Sequence, residues 1–218
     1  QRNALFLSRE SDFQKYAANK LFDEGIISSV IFEDVKSVLS EKEDQYNQFN
    51  LKHKFTNLMY GNQEFHSKRI LQSQYKSLNR NINFLHVKNI NSDIAYLKIK
   101  ELNPSLVIIH GIRITKEELF ENIDCEFINL NWGMSPDYTF DGIINPIYEN
   151  NWAKLGFTIH KIHSSIDKGE IICSERIDID EKDNFYSIGL KMTKKAIEYL
   201  SNGIIIERKL NNSNLLLK

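Results

Sequence analysis

The chain is expected to fold as one Rossmann-like α/β domain: a doubly wound, mainly parallel sheet that ends in a carboxyl-terminal antiparallel hairpin. Three observations predict it. Short apolar runs rich in β-branched residues alternate with longer segments of helical periodicity. Several of these runs end in polar loops, as strands do at the sites of open α/β sheets. Finally, Leu155–His163 and Glu170–Ile177 are strand-like runs separated only by Ser164–Gly169, which reads as a hairpin.

The 218 residues show no second composition regime, so residues 1–218 are read as a single domain able to bury a sizeable core. Lys and Arg number 28 against 29 Asp and Glu, and the net charge of −1 points to neither nucleic acid nor membrane as partner. Cys125 and Cys173 lie far apart and form no metal-ligand pattern; reduced thiols in a cytoplasmic protein are the expectation. No apolar run approaches the ~20 residues that span a bilayer, and no signal peptide is visible.

In order, Ala4–Leu7 reads as the first strand. Glu10–Glu24 reads as a helix with Phe13, Tyr16, Ala17 and Leu21 near one face, stopped by Gly25, and Ile26–Phe32 as a second strand. No glycine-rich phosphate loop follows the first strand. Asp34–Asn81 is polar and charged. Helices packing on the sheet are the expectation there, with a partner or homodimer surface as the alternative, and His53 and His66 are read as surface residues. Asn83–Val87 is a strand, and Ser92 caps a helix over Asp93–Leu102 that Pro104 closes. Leu106–Ile109 is a central strand, and Thr115-x-x-Glu118 matches a capping box for a short helix. Phe127–Leu130 is the fifth strand, and period-two alternation puts Asn129 and Asn131 on one side at its end. Ile143–Asn150 reads as a short helix. Asp183 is taken as the cap of a last helix through Tyr199, with Ile188, Met192, Ala196 and Leu200 facing the sheet and a fraying tail beyond.

The region from about Phe84 to Asp180 resembles the formyltransferases that take their formyl group from 10-formyltetrahydrofolate. The family's Asn-x-His at a strand end, a Pro shortly after, and an Asp-x-Gly after the next strand correspond here to Asn129-Leu130-Asn131, Ser135-Pro136 and Asp167-Lys168-Gly169. Gly111-Ile112-Arg113-Ile114 matches the family's Gly-x-Arg-Ile. The chain departs from the pattern at Asn131, where the family has histidine, and after Pro136, where it lacks the family's Tyr-Arg-Gly.

The resemblance implies a formyltransferase fold and transfer of formyl to a primary amine. Asn129 would stabilise the tetrahedral oxyanion, and Asp167 would accept the amine's proton through a water. Asn131 donates hydrogen bonds but does not titrate, so His163 is the candidate for moving a proton. Gly111, Ile112, Arg113, Ile114 and Thr115, with Ser164, Ser165 and Ile166, would line the donor site. Backbone amides at Arg113 and Ile114 would read the pterin edge. No metal is implied. His160 matches a strand histidine of the family and is read as packing beside the site, and His110 as a core residue. Tyr138 either lines the site or simply packs.

The missing phosphate loop and the absence of a tRNA-holding module within the chain favour a small-molecule acceptor, an amino sugar and perhaps nucleotide-linked, of the kind used in surface polysaccharide synthesis. Two alternatives stay open: a hydrolase that releases formate from the same donor, and a catalytically impaired folate-binding or assembly homologue.

Overall fold

The computed structural model describes residues 3–34, 54–55, 58–59, 62–71, 74, 77–113, 115–138, 142–162 and 169–215. The order of elements is β1 (Ala4–Arg9), α1 (Asp12–Asp23), β2 (Ile27–Glu33), α2 (Gln63–Leu71), β3 (Asn83–Val87), α3 (Asp93–Leu102), β4 (Leu106–His110), α4 (Glu117–Glu121), β5 (Glu126–Trp132), α5 (Ile144–Tyr148), a 3-10 turn (Trp152–Lys154), β6 (Gly156–Ile162), β7 (Ile171–Arg176) and α6 (Phe185–Leu215). The seven strands form one sheet in the order β3-β2-β1-β4-β5-β6-β7. The first five run parallel, and β6 and β7 pair antiparallel. The sheet is therefore doubly wound, and the chain changes direction between β1 and β4, which makes the crevice at their carboxyl ends the default ligand position.

Alternation along the strands divides the core in two. Ala4, Phe6, Ile108, Ile128 and Leu130 face α1, α2 and α6, meeting Phe13, Leu21, Leu71, Ile188, Met192 and Ala196. Leu5, Leu7, Val107, Ile109 and Phe127 face α3 and α4, meeting Ala95, Ile99 and Leu119. Phe157, fully buried in the first cluster, is a sensitive probe of this packing. Phe157→Ala is expected to cost about 3–5 kcal/mol, read as a lowered urea midpoint at unchanged m-value.

The helix ends show where local chemistry decides. Ser11 caps α1 by accepting from Gln14 N, and Gly25, with φ of +67°, ends the turn that follows it. Ser92 Oγ accepts from Ala95 N at 3.3 Å, and Asn103 in the left-handed region closes α3 just before Pro104. The capping box does not form. The N-cap of α4 is Lys116, without a side-chain cap, because Lys116 N is tied to Asn91 Oδ1 at 2.8 Å and the chain enters the helix one residue later than Thr115 predicts.

Asn184, not Asp183, caps α6. Its Oδ1 accepts from Tyr186 N and Ser187 N, while Ser187 Oγ accepts from Asn184 N. Asp183 is drawn instead to Lys191 Nζ at 2.5 Å, which together with the Asp180 N and Ser187 Oγ hydrogen bonds holds its carboxyl below the usual range against the opposing effect of burial. The helix continues to Leu215, past the expected end at Tyr199. His66, read as a surface residue, stacks on Tyr186 with ring centroids 4.4 Å apart. His53 lies outside the described residues.

Candidate active site

The centre of the site is the end of β5. Antiparallel pairing with β6 extends this strand two residues beyond the predicted Leu130, to Trp132. Phe127 packs toward α3 and α4, so alternation puts Asn129 and Asn131 on that same face. The register sets Asn129 opposite His160.

The three polar side chains join in a string. Asn129 Nδ2 donates to Asn131 Oδ1 at 3.1 Å, and Asn131 Nδ2 lies 3.1 Å from His160 Nε2. His160 Nδ1 lies 3.2 Å from Lys161 O. A carbonyl only accepts, so Nδ1 carries the proton and Nε2 accepts from Asn131, which fixes the tautomer and both amide orientations. Asn131 Nδ2 has a second hydrogen for which the described residues offer no acceptor. Asn129 and Asn131 are half-buried and His160 is 3% exposed. His160 is thus more than a neighbour of the site: it orients Asn131, which in turn orients Asn129. Sequence reading could not find this contact, because it depends on the antiparallel register between β5 and β6, which sets Asn129 opposite His160 and which no local pattern announces.

His163, Ser164, Ser165, Ile166 and Asp167 lie outside the described residues, as does Ile114. The flanks of the 163–168 segment are placed: Ile162 pairs with Phe127, and Lys161 N donates to Glu170 O at 2.9 Å. At ~3.4 Å per residue, its root lies ~7 Å along the sheet from Asn129.

The turn after β4 is built around a buried carboxylate that the sequence reading passed over. Gly111 has a φ of +68°, a conformation other residues adopt only at a cost. Ile112 packs against the α3–α4 core, and Thr115 is half-buried. The amide of Arg113 points inward and donates to Glu33 Oε2 at 3.0 Å, while its Nε donates to Glu33 Oε1 at 2.5 Å. Ile90 N also donates to Oε1, at 2.8 Å. Glu33 is wholly buried and the Arg113 side chain is 7% exposed.

On the opposite sheet face, His110 Nδ1 lies 2.7 Å from Leu130 O, and the imidazole meets Trp132 edge-on with centroids 5.4 Å apart. His110 Nε2 and Trp132 Nε1 are both buried without a hydrogen-bond partner among the described residues. Burial, opposed by the Leu130 bond and helped by the nearby Arg9 charge, lowers the His110 pKa from 6.5 to about 4. An unfolded imidazole titrates near 6.5, so between that pH and about 4 the unfolded chain binds a proton that the folded chain does not. This contribution is complete above pH ~6.5 and is lost on acidification, by about 3 kcal/mol at pH ~4. Urea titrations at pH 7.5 and 4.5 are expected to show this loss in the wild type and a smaller one in His110→Gln.

The loop after β5 is clamped at its base. Thr158 Oγ1 donates to Gly133 O at 2.8 Å and accepts from Ser135 N at 3.0 Å, and Gly133 N donates to Gly156 O at 2.7 Å. A Cβ on Gly133 would lie 2.3 Å from Tyr138 O, so the loop folds back on itself there. Tyr138 is buried, its hydroxyl donating to Glu149 at 2.5 Å and accepting from Asn151 Nδ2 at 3.2 Å. It packs within this loop, and the Glu149 bond raises its pKa. Both cysteines are free thiols, and burial pushes Cys173 up to about 12. Among the described residues no His, Cys, Asp and Glu cluster is placed to hold a metal, and no helix is long and apolar enough to cross a membrane.

The sequence matches the family described as "Formyl transferase" over residues 32–204. The chain belongs to the formyl transferase family. It is 32% identical over 92 residues to a methionyl-tRNA formyltransferase of Kosmotoga olearia, covering 40% of this chain and 30% of that protein. The matched stretch thus spans about a third of the length of the curated relatives.

Among solved structures, phosphoribosylglycinamide formyltransferase from Anaplasma phagocytophilum superposes with a TM-score of 0.60 at 17% identity, covering 94% of this chain and 86% of that one. A sugar N-formyltransferase from a Shewanella species gives 0.54 at 15% identity, covering 93% and 68%. At these identities the structural likeness shows the fold, which is the predicted one.

Proposed function

We propose that the chain transfers the formyl group of 10-formyltetrahydrofolate to a primary amine of a small molecule, with a nucleotide-linked amino sugar as acceptor. The observation that carries this reading is the Asn129–Asn131–His160 string at the end of β5 in a chain of this family. An amide held by two further side chains, at a half-buried strand end, suits the charge that develops during formyl transfer.

The amine nitrogen forms a bond to the formyl carbon, whose carbonyl oxygen becomes an oxyanion. That oxygen takes an N–H from Asn129. The bond between the formyl carbon and the folate nitrogen then breaks. The folate nitrogen gains a proton and the amine loses one, through a water to Asp167, the role that the family resemblance gives this residue. Asn131 has no acid–base role, so its work is orientation.

The sugar acceptor is supported by the fold shared with the sugar N-formyltransferase and by the absence of a glycine-rich phosphate loop after β1. The methionyl-tRNA formyltransferase match favours a second reading, a methionyl-tRNA acceptor. Incubating the chain with 10-formyltetrahydrofolate and, separately, nucleotide-linked amino sugars, glycinamide ribonucleotide or methionyl-tRNA decides between them. Tetrahydrofolate formation that requires an amino sugar is the expected result. Dependence on methionyl-tRNA overturns the acceptor assignment, and formate release without any amine identifies a hydrolase.

A further inference from the structure

We propose that Glu33 is a positioning residue for the donor-side turn, holding Gly111–Arg113 in the shape that receives the folate; this rests on the donor reading above. The side chain has no access to solvent and does not reach the β5–β6 string, so it acts through the turn.

Glu33 ties together the loops at the carboxyl edge of the first four strands. Its backbone carbonyl accepts from Glu10 N, just past β1, at 3.2 Å. Its Oε1 accepts from Ile90 N in the β3–α3 loop at 2.8 Å and from Arg113 Nε at 2.5 Å, and its Oε2 accepts from Arg113 N in the β4–α4 turn at 3.0 Å. Arg113 Nη2 adds a bond to Lys88 O at 3.3 Å, so the guanidinium spans the same two loops. Every group facing the carboxylate in this set is a donor, and the one full charge among them is the guanidinium. A buried carboxylate with donors on both oxygens and a guanidinium beside it is the pairing that makes burial of a charge tolerable.

A neutral isostere fails at this position for a geometric reason. Glutamine has one acceptor and one donor end. If its oxygen takes the Oε1 place, its NH2 confronts the Arg113 N–H; the reverse orientation confronts both Ile90 N–H and Arg113 Nε–H. In either case one loop is pushed away, and the β4–α4 turn, which meets Glu33 through both the Arg113 amide and the Arg113 Nε, is the one expected to move. Gly111 at the root of that turn already occupies a left-handed conformation, so the displacement is set by the Glu33 bonds.

The test is calorimetric titration of the whole chain with 5-formyltetrahydrofolate, a non-reactive stand-in for the donor, paired with steady-state kinetics in both substrates. Glu33→Gln is expected to weaken folate binding at least tenfold and raise the donor KM alongside, leaving the acceptor KM within twofold. Glu33→Asp, which keeps the charge, is expected to recover part of the loss. Arg113→Lys leaves the Glu33 carboxylate and the backbone bond in place and is expected to weaken binding about threefold; it serves as the readout if Glu33→Gln fails to fold. Wild-type folate affinity in a folded Glu33→Gln or Arg113→Lys chain overturns this inference alone, as does an equal rise in both KM values. Absence of binding by the wild type overturns the donor reading and this inference with it.

Discussion

Asn129→Ala is expected to lower kcat by about 10²–10³, corresponding to about 3–4 kcal/mol of lost oxyanion stabilisation, with little change in donor KM. The side chain is half-buried, and Asn131, whose Oδ1 it bonds, is half-buried as well. The melting temperature should therefore shift by only a few degrees. Asn129→Asp is the sharper control, because it keeps the size and replaces the donor with an anion aimed at a developing anion. Single-turnover rates with the preferred amine measure both. Activity in Asn129→Ala within threefold of wild type would remove this residue from the chemistry.

The second large effect is a gain. Asn131→His is expected to raise kcat by about 10²–10⁴, the usual contribution of a positioned acid–base group. Neutral histidine has one donor and one acceptor nitrogen, so it can give a hydrogen toward His160, as Asn131 does now, and leave the acceptor nitrogen free to exchange a proton at the strand end. Unlike asparagine it titrates, and the pH–rate profile should acquire a new inflection near the ordinary imidazole range, with activity falling below it. Asn131→Leu breaks the string at both ends and should lose activity without any new inflection. If Asn131→His leaves both the rate and the profile unchanged, proton movement at this site is handled entirely elsewhere.

The parts of this protein that could be read from its sequence are those decided within a few residues. The Ser92 cap and the Gly25 stop are local bargains between a side chain, or the lack of one, and nearby backbone. The sheet's winding follows from alternating apolar runs, and the placement of Asn129 and Asn131 on one side follows from strand alternation alone. Even local signals mislead where neighbours compete. Asp183 and Asn184 are both good caps, and Lys191 decides between them by drawing the aspartate away. Thr115 loses its capping role to a bond made by Asn91, which is distant in sequence.

What was not legible is what the tertiary pairing creates. His160 meets Asn131, 29 positions away, across the antiparallel register of β5 and β6. Glu33 and Arg113 are 80 positions apart, and nothing in either neighbourhood marks them as a pair. Glu33 stood one residue past the predicted end of its strand, where a charged residue reads as the start of a loop.

The clamp at Gly133, Ser135 and Thr158 has a practical consequence. Both ends of the 133–155 excursion are bolted to the sheet, whereas the amide pair and His160 belong to the strands beneath it. Ile143, Ile144 and Leu155 of that excursion are fully buried in the core under α1, α2 and α6, so a stretch grafted from another member of the fold between Gly133 and Gly156 is expected to fold only where it keeps apolar side chains at these three places.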